Sequence, residues 1–290
     1  MNVVHTISEV RSQVIAARKS GKRIGLVPTM GALHPGHLSL VSTSRESVDK
    51  NPDGGFVVVS IFLNPTQFAP DEDLDAYPKT LKNDLKLCEA AGVDLVFAPS
   101  PEEMFPHKTT TETTVNIRNL SDTLCGKSRP THFAGVCTVV AKLFNIVQPD
   151  EAIFGAKDFQ QAAIIQQMVD NLNIPAKIIV CPIVRESDGV AMSSRNARLS
   201  PEDRKQAPAL YAGLELGARI INDSHPPATE VIDAIRKYIC DNAPGGQIDY
   251  IQIVDPKSLQ DVSTTDRVVL IAIAVKFEAA RLIDNMLVER

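Results

Sequence analysis

Apolar residues run through roughly the first two thirds of the chain in short blocks, and the polar residues between them set the elements. Residues 24–28 (IGLVP), 56–62 (FVVVSIF), 94–99 (DLVFAP), 152–154 (AIF) and 177–181 (KIIVC) are compact and largely β-branched, the composition of strands buried on both faces of a parallel sheet. Between them apolar positions recur at helical spacing. Ser8 is placed to cap a helix reaching Lys19, with Val10, Val14, Ile15 and Ala17 on its apolar side. Thr80 is placed to cap a helix reaching Ala91 before Gly92, and residues 132–147 align Val136, Val139, Val140, Leu143, Phe144 and Val147. The alternating threonines of 109–117 suggest an extended edge segment, whereas the prolines and acidic residues of 64–80 exclude a regular element. Strands separated by helices predict an α/β fold, a Rossmann-like, doubly wound parallel sheet, over residues 1–183.

From Ser200 the pattern changes. Ser200 and Pro201 open a long helix kinked at Pro208, and a second helix covers 229–242. The apolar runs 247–254, 266–277 and 280–289 are joined by short loops, which suits antiparallel pairing. Residues 184–290 therefore read as a smaller C-terminal α+β domain.

Composition narrows the function classes. A formal charge of −5 over 290 residues argues against the broad cationic surface that nucleic-acid binding uses. The longest strongly apolar run, 268–275, is far short of the roughly 20 residues of a membrane span. The opening MNVVHTISEVRSQV lacks the basic start and apolar centre of a signal peptide. Cys88, Cys125, Cys137, Cys181 and Cys240 form no close CxxC pair, so reduced thiols in the cytoplasm are expected, without a zinc site or disulfide framework.

The chemistry centres on residues 23–41, RIGLVPTMGALHPGHLSLV. A strand ends at Pro28, a turn follows through Gly31, and Pro35 sits where a first helical residue would sit. His34 and His37 then flank a helix N-terminus, where free N–H groups and the helix dipole favour an anion, phosphate above all. Gly36 permits close approach of a ligand to the backbone, and each imidazole is a hydrogen-bond donor. Other polar residues gather at predicted strand ends: Asn64 and Gln67, then Lys157, Asp158 and Gln161, then Ser193, Ser194 and Arg195. A parallel sheet would bring these segments to one edge, with Gln161 one helical turn beyond Lys157 on the same face. The set offers cations and proton donors for a triphosphate and neutral amides for hydroxyls or carboxylates. It contains no Ser-His-Asp order, nucleophile elbow or GxxxxGK[ST] loop, which favours direct attack by one substrate on a nucleotide phosphate.

Five blocks, PTMGALHPGH, FLNPTQFAPDEDLDAYPKT, LCGKSRPTHFAGVCTVVAKLFNIVQPD, FGAKDFQQ and AMSSRN, resemble the pantothenate synthetase family in order and spacing. That family belongs to the HIGH-type nucleotidyl-transferase superfamily. The resemblance implies an ATP- and Mg2+-dependent ligation of pantoate to β-alanine through pantoyl adenylate, a smaller domain acting as a lid, and a homodimer. It implies ATP contacts from Met30, Gly31, Ala32, Leu33, His34, Pro35, Gly36 and His37, from Gly155, Ala156, Lys157 and Asp158, and from Val184, Met192, Ser193, Ser194 and Arg195. His37 matches the family's proton donor; His34, Lys157, Ser193, Ser194 and Arg195 would grip phosphates. Gln67 and Gln161 would hold pantoate, with Asn64 also at the substrate, and Asp84 matches a position for the metal. Thr131 and Ala156 depart from the family's usual glycine and its glutamate or glutamine. Two rival readings share the histidines: another HIGH-type adenylyltransferase, which would want further cations for a phosphorylated acceptor, and a nonenzymatic nucleotide sensor.

Overall fold

The computed structural model describes residues 1–69, 72, 74–106 and 113–289. The chain divides into two compact units. The first comprises Met1–Ser121, Arg129–Ala156 and Gln161–Pro182; the second comprises Asp122–Ser128, Lys157–Gln160 and Ile183–Arg290. In chain order the earlier elements are β1 (Asn2–Val4), α1 (Ile7–Lys19), β2 (Arg23–Thr29), α2 (Pro35–Val48), β3 (Gly55–Ile61), α3 (Leu81–Ala90), β4 (Leu95–Phe97), α4 (Pro101–Met104), α5 (Cys125–Ser128), α6 (His132–Val147), β5 (Glu151–Gly155), α7 (Phe159–Asn171) and β6 (Lys177–Cys181). The later ones are α8 (Pro201–Gln206), α9 (Pro208–Ser224), α10 (Ala228–Asn242), β7 (Gln247–Val254), β8 (Val269–Lys276) and β9 (Arg281–Val288).

Among the described residues the first unit holds a six-stranded parallel sheet in the order β1-β4-β3-β2-β5-β6. From β2 the chain steps outward through β3 to β4, and from β5 it steps the other way to β6. The order therefore reverses between β2 and β5, the place where open α/β sheets bind ligands beyond the strands' carboxyl ends. Val57 and Val59 of β3 pack in one cluster with Val41 and Val48 of α2, while the intervening Val58 is equally buried. Side chains alternate along a strand, so both sheet faces are covered, and continuous apolar runs are the result.

The second unit pairs β7, β8 and β9 antiparallel around a central β8. Leu214 of α9 and Ile235 and Ile239 of α10 share a core with Ile271 and Ile273 of β8. Among the described residues no helix is long and apolar enough to cross a membrane.

Several local expectations need correction. β1 is a sixth strand, set by its parallel register with β4 from Asn2↔Leu95 to Val4↔Phe97; three residues are too few to show a period. Thr6, not Ser8, caps α1, because Thr6 and Glu9 form a reciprocal capping box. Ile15 is 54% exposed, so the buried stripe of α1 is Val10, Val14 and Ala17 alone. Within 64–80, Pro65–Gln67 form a 3-10 turn. At Pro208, which has no N–H to donate, the expected kinked helix is instead two helices separated by Ala207. Residues 109–112 of the expected edge segment lie outside the described residues, and 113–117 form no strand.

Candidate active site

β2 delivers the backbone into a turn through left-handed Gly31 (φ 83°) and Ala32 (φ 51°). For a non-glycine residue that region costs about 1 kcal/mol, and Asp84 on α3 holds the turn in place. Its Oδ2 accepts the Ala32 N–H at 3.0 Å and its Oδ1 the Leu33 N–H at 2.9 Å. The Thr80 hydroxyl lies 3.1 Å from each oxygen, so it serves Asp84 and makes no cap to the backbone of α3. Asp84 is 1% exposed. Buried and engaged at both oxygens by backbone and hydroxyl donors, Asp84 is placed as the clamp of this turn. Among the described residues no group of three or more His, Cys, Asp or Glu side chains is placed to hold a metal.

His34 is the N-cap residue of α2 and Pro35 its first residue, as the HPGH pattern predicts. The His34 carbonyl accepts the His37 N–H at 2.8 Å and the Leu38 N–H at 3.2 Å. In return the His34 N–H points to His37 Nδ1 at 3.4 Å, with the two rings 4.0 Å apart. A ring nitrogen that accepts cannot carry the proton. Neutral His37 therefore has its hydrogen on Nε2.

Beyond β3, Asn64 caps the 3-10 turn that carries Gln67. Its Oδ1 accepts from the Thr66 hydroxyl at 2.9 Å, and its Nδ2 donates to Gln67 Oε1 and to the Gly135 carbonyl, both at 3.2 Å. Asn64 is 1% exposed, and these bonds use its amide to shape the turn. Gln67 Nε2 lies 2.7 Å from Met30 Sδ, which joins this turn to the loop after β2. The Gln67 carbonyl accepts from His132 Nδ1 at 2.8 Å and from Arg129 at 3.3 Å, and Arg129 is itself paired with Glu72. Burial raises the Glu72 carboxyl, but hydrogen bonding and attraction from Arg129 outweigh it and hold the group below its ordinary value. Gly135 is required on α6, because a Cβ there would stand 2.4 Å from the Thr66 carbonyl oxygen. Thr131, with φ −95°, adopts backbone open to any residue, so its conformation does not call for glycine.

β5 ends at Gly155, and a 3-10 turn, Ala156–Asp158, precedes α7. Lys157 and Asp158 group with the second unit and half-buried Gln161 with the first. Because α7 begins only at Phe159, the expected helical i,i+4 relation of Lys157 to Gln161 does not apply. Lys157 Nζ stands 3.7 Å from the half-exposed Asp158 carboxylate, a loose pair of little energetic weight.

Ser193, Ser194 and Arg195 do not follow a strand of the parallel sheet. They come after a small hairpin in which Met192 N–H donates to the Val184 carbonyl at 2.9 Å and Arg185 bridges Ala191. Ser193 then caps a 3-10 turn, Ser194–Arg198, its Oγ accepting the Arg195 N–H at 3.2 Å. The Ser193 hydroxyl hydrogen stays available to donate. Asn196 ties the turn back through Glu186 at 2.7 Å and the Ala191 carbonyl at 3.1 Å.

Sequence reasoning missed Asp84 as a loop clamp and Gly135 as the seat of the Gln67 turn. The available signals were an acid four residues before buried Cys88 on an otherwise amphipathic helix, and a glycine inside the apolar helix at 132–147. Cys88 and Cys137 are packing residues: burial pushes their thiols up to about 11 and about 12.

The family profile of pantoate-beta-alanine ligase matches residues 2–287. The chain is 51% identical to the pantothenate synthetase of Acetivibrio thermocellus, with 100% of both chains covered. It is 49% identical to that of Moorella thermoacetica over 100% of this chain and 99% of the other. The crystal structure of pantothenate synthetase from Thermus thermophilus matches with a TM-score of 0.91 at 42% identity, covering 100% of both chains. A pantoate-beta-alanine ligase from Francisella tularensis, complexed with beta-gamma ATP and beta-alanine, matches with a TM-score of 0.79 at 33% identity over 99% and 97% of the two chains. With a profile match along nearly its whole length and close relatives spanning it end to end, the chain belongs to the pantoate–β-alanine ligase family.

Proposed function

We propose that the protein joins pantoate to β-alanine with ATP as the activating co-substrate, and the observation that carries this is the family match over residues 2–287. The pantoate carboxylate attacks the ATP α-phosphorus, pyrophosphate departs, and pantoyl adenylate forms. The β-alanine amine then attacks the acyl carbon and AMP leaves, giving pantothenate. Adenylation replaces an oxide leaving group with a stabilised phosphate monoester.

Met30 to His37 and Gly155 to Asp158 take ATP, as do Val184 and Met192 to Arg195, with Asp158 at the ribose. The His34-Pro35-Gly36-His37 start of α2 supports the phosphate role, since its dipole, N–H groups and the His37 Nε2 hydrogen all suit an anion. Lys157, Ser193, Ser194 and Arg195 offset charge as pyrophosphate departs, and one such donor is worth about 3 kcal/mol in the transition state. Gly155 supports close ligand approach, because a Cβ there meets no protein atom within 4 Å, so packing alone does not demand glycine. Gln67 and Gln161 hold pantoate; neutral amides favour an unphosphorylated acceptor over the phosphorylated one of a related adenylyltransferase.

Mg2+ enters as a companion of the ATP phosphates. Residues 1–183 serve as the nucleotide- and pantoate-binding domain, 184–290 as a lid, and the working form is a cytoplasmic homodimer. The test is purified protein with ATP, Mg2+, pantoate and β-alanine, followed for AMP and pantothenate. Product is expected only with all of them present; AMP release independent of pantoate would overturn the reading.

A further inference from the structure

β9 carries two adjacent buried polar residues, Asp284 (4% exposed) and Asn285 (7% exposed). Successive strand side chains point to opposite faces. Asp284 shares its face with Leu282 and Val288, both members of the apolar core, so a carboxylate has been placed among aliphatic side chains. It is satisfied by Arg185, whose Nη1 and Nη2 donate at 2.7 and 3.0 Å, and by the Asn285 N–H at 2.8 Å. Arg185 in turn donates to the Gly189 carbonyl at 3.0 Å and lies 3.9 Å over the Tyr211 ring. This guanidinium therefore fastens the hairpin of Val184 and Met192, from which Ser193 to Arg195 follow.

On the opposite face, Asn285 Nδ2 donates to the Lys157 carbonyl at 2.9 Å. Burial raises the Asp284 carboxyl, while Arg185, Asn285 and then Lys157 favour its ionised form, so the lysine's charge is felt at β9 as well. Neighbouring residues of one strand thus hold the Lys157 turn and the 184–195 hairpin together. An apolar pair of similar volume would serve stability about equally well. A polar pair does something more: its directional bonds fix where each segment stands.

We propose that Asp284 and Asn285 are positioning residues that set Lys157 and the Ser193-Ser194-Arg195 turn in one spacing to receive the same polyphosphate. This rests on the phosphate roles given to those groups under the proposed function. The test is a double-mutant cycle on pantoate-dependent exchange of pyrophosphate into ATP, with melting midpoints measured alongside. Asn285→Ala should lower the turnover number about tenfold, the weight of one lost hydrogen bond, and should cost little further in a Lys157→Ala background. Asn285→Asp, the same size without the donor, should reproduce the loss if the alanine variant folds poorly, and Asn285→Gln should recover part of it. Asp284→Asn, acting through Arg185, should raise the KM for ATP several-fold. Full additivity of Asn285→Ala with Lys157→Ala, or losses that follow the melting midpoint alone, would overturn the positioning role while leaving the phosphate role of Lys157 standing. Wild-type exchange by Lys157→Ala itself would remove that phosphate role and the positioning role with it.

Discussion

At Asp84 a full charge sits in the interior because two backbone N–H groups and a hydroxyl surround it. Asparagine there would turn an NH2 toward one of those N–H groups and leave it unpaired, at about 2 kcal/mol. Asp84→Asn should therefore lower the denaturation midpoint and slow turnover, yet leave the Mg2+ concentration for half-maximal activity unchanged. A shifted Mg2+ requirement would give Asp84 the metal role instead. On the role proposed for it, His37 donates to developing charge, so His37→Ala should lower turnover about 100-fold with the KM for ATP nearly unchanged. Equal losses in both, or intact turnover, would reassign that imidazole to ground-state binding. The histidines were legible because strand, proline and helix start lie within a few residues of one another. Asp84's role was not, since its partner Leu33 is 51 positions away.

Elements show the same dependence on distance. The 3-10 turn that presents Gln67 stands against α6 only because position 135 has no side chain. Gly135→Ala places a methyl group against the Thr66 carbonyl, an overpacking worth about 1–3 kcal/mol. The turn is expected to shift, raising the KM for pantoate more than the KM for ATP; equal KM values to wild type would show that the turn does not orient pantoate. The longer strands and helices of both units were readable from apolar runs and helical spacing, which are local signals. β1 was not, because three residues become a strand only when β4 pairs with them. The cap of α1 fell to Thr6 over Ser8 because only Thr6 has Glu9 at the reciprocal position.

At the scale of the whole molecule, the change from alternating strands and helices to helices followed by strands announced an α/β sheet and a smaller antiparallel unit. The assignment of Asp122–Ser128 and Lys157–Gln160 to the second unit was hidden. It depends on bonds such as Gln160 Nε2 to the Thr123 carbonyl at 2.8 Å and Asn285 to the Lys157 carbonyl, which no local pattern encodes. The two chemical steps can be separated by experiment, since adenylation needs no β-alanine. The most direct measurement is therefore exchange of labelled pyrophosphate into ATP with β-alanine omitted. Exchange that appears on adding pantoate, and falls about 100-fold but stays measurable in the Lys157→Ala protein, is the predicted result; exchange indifferent to pantoate, or supported only by a phosphorylated acceptor, would contradict it.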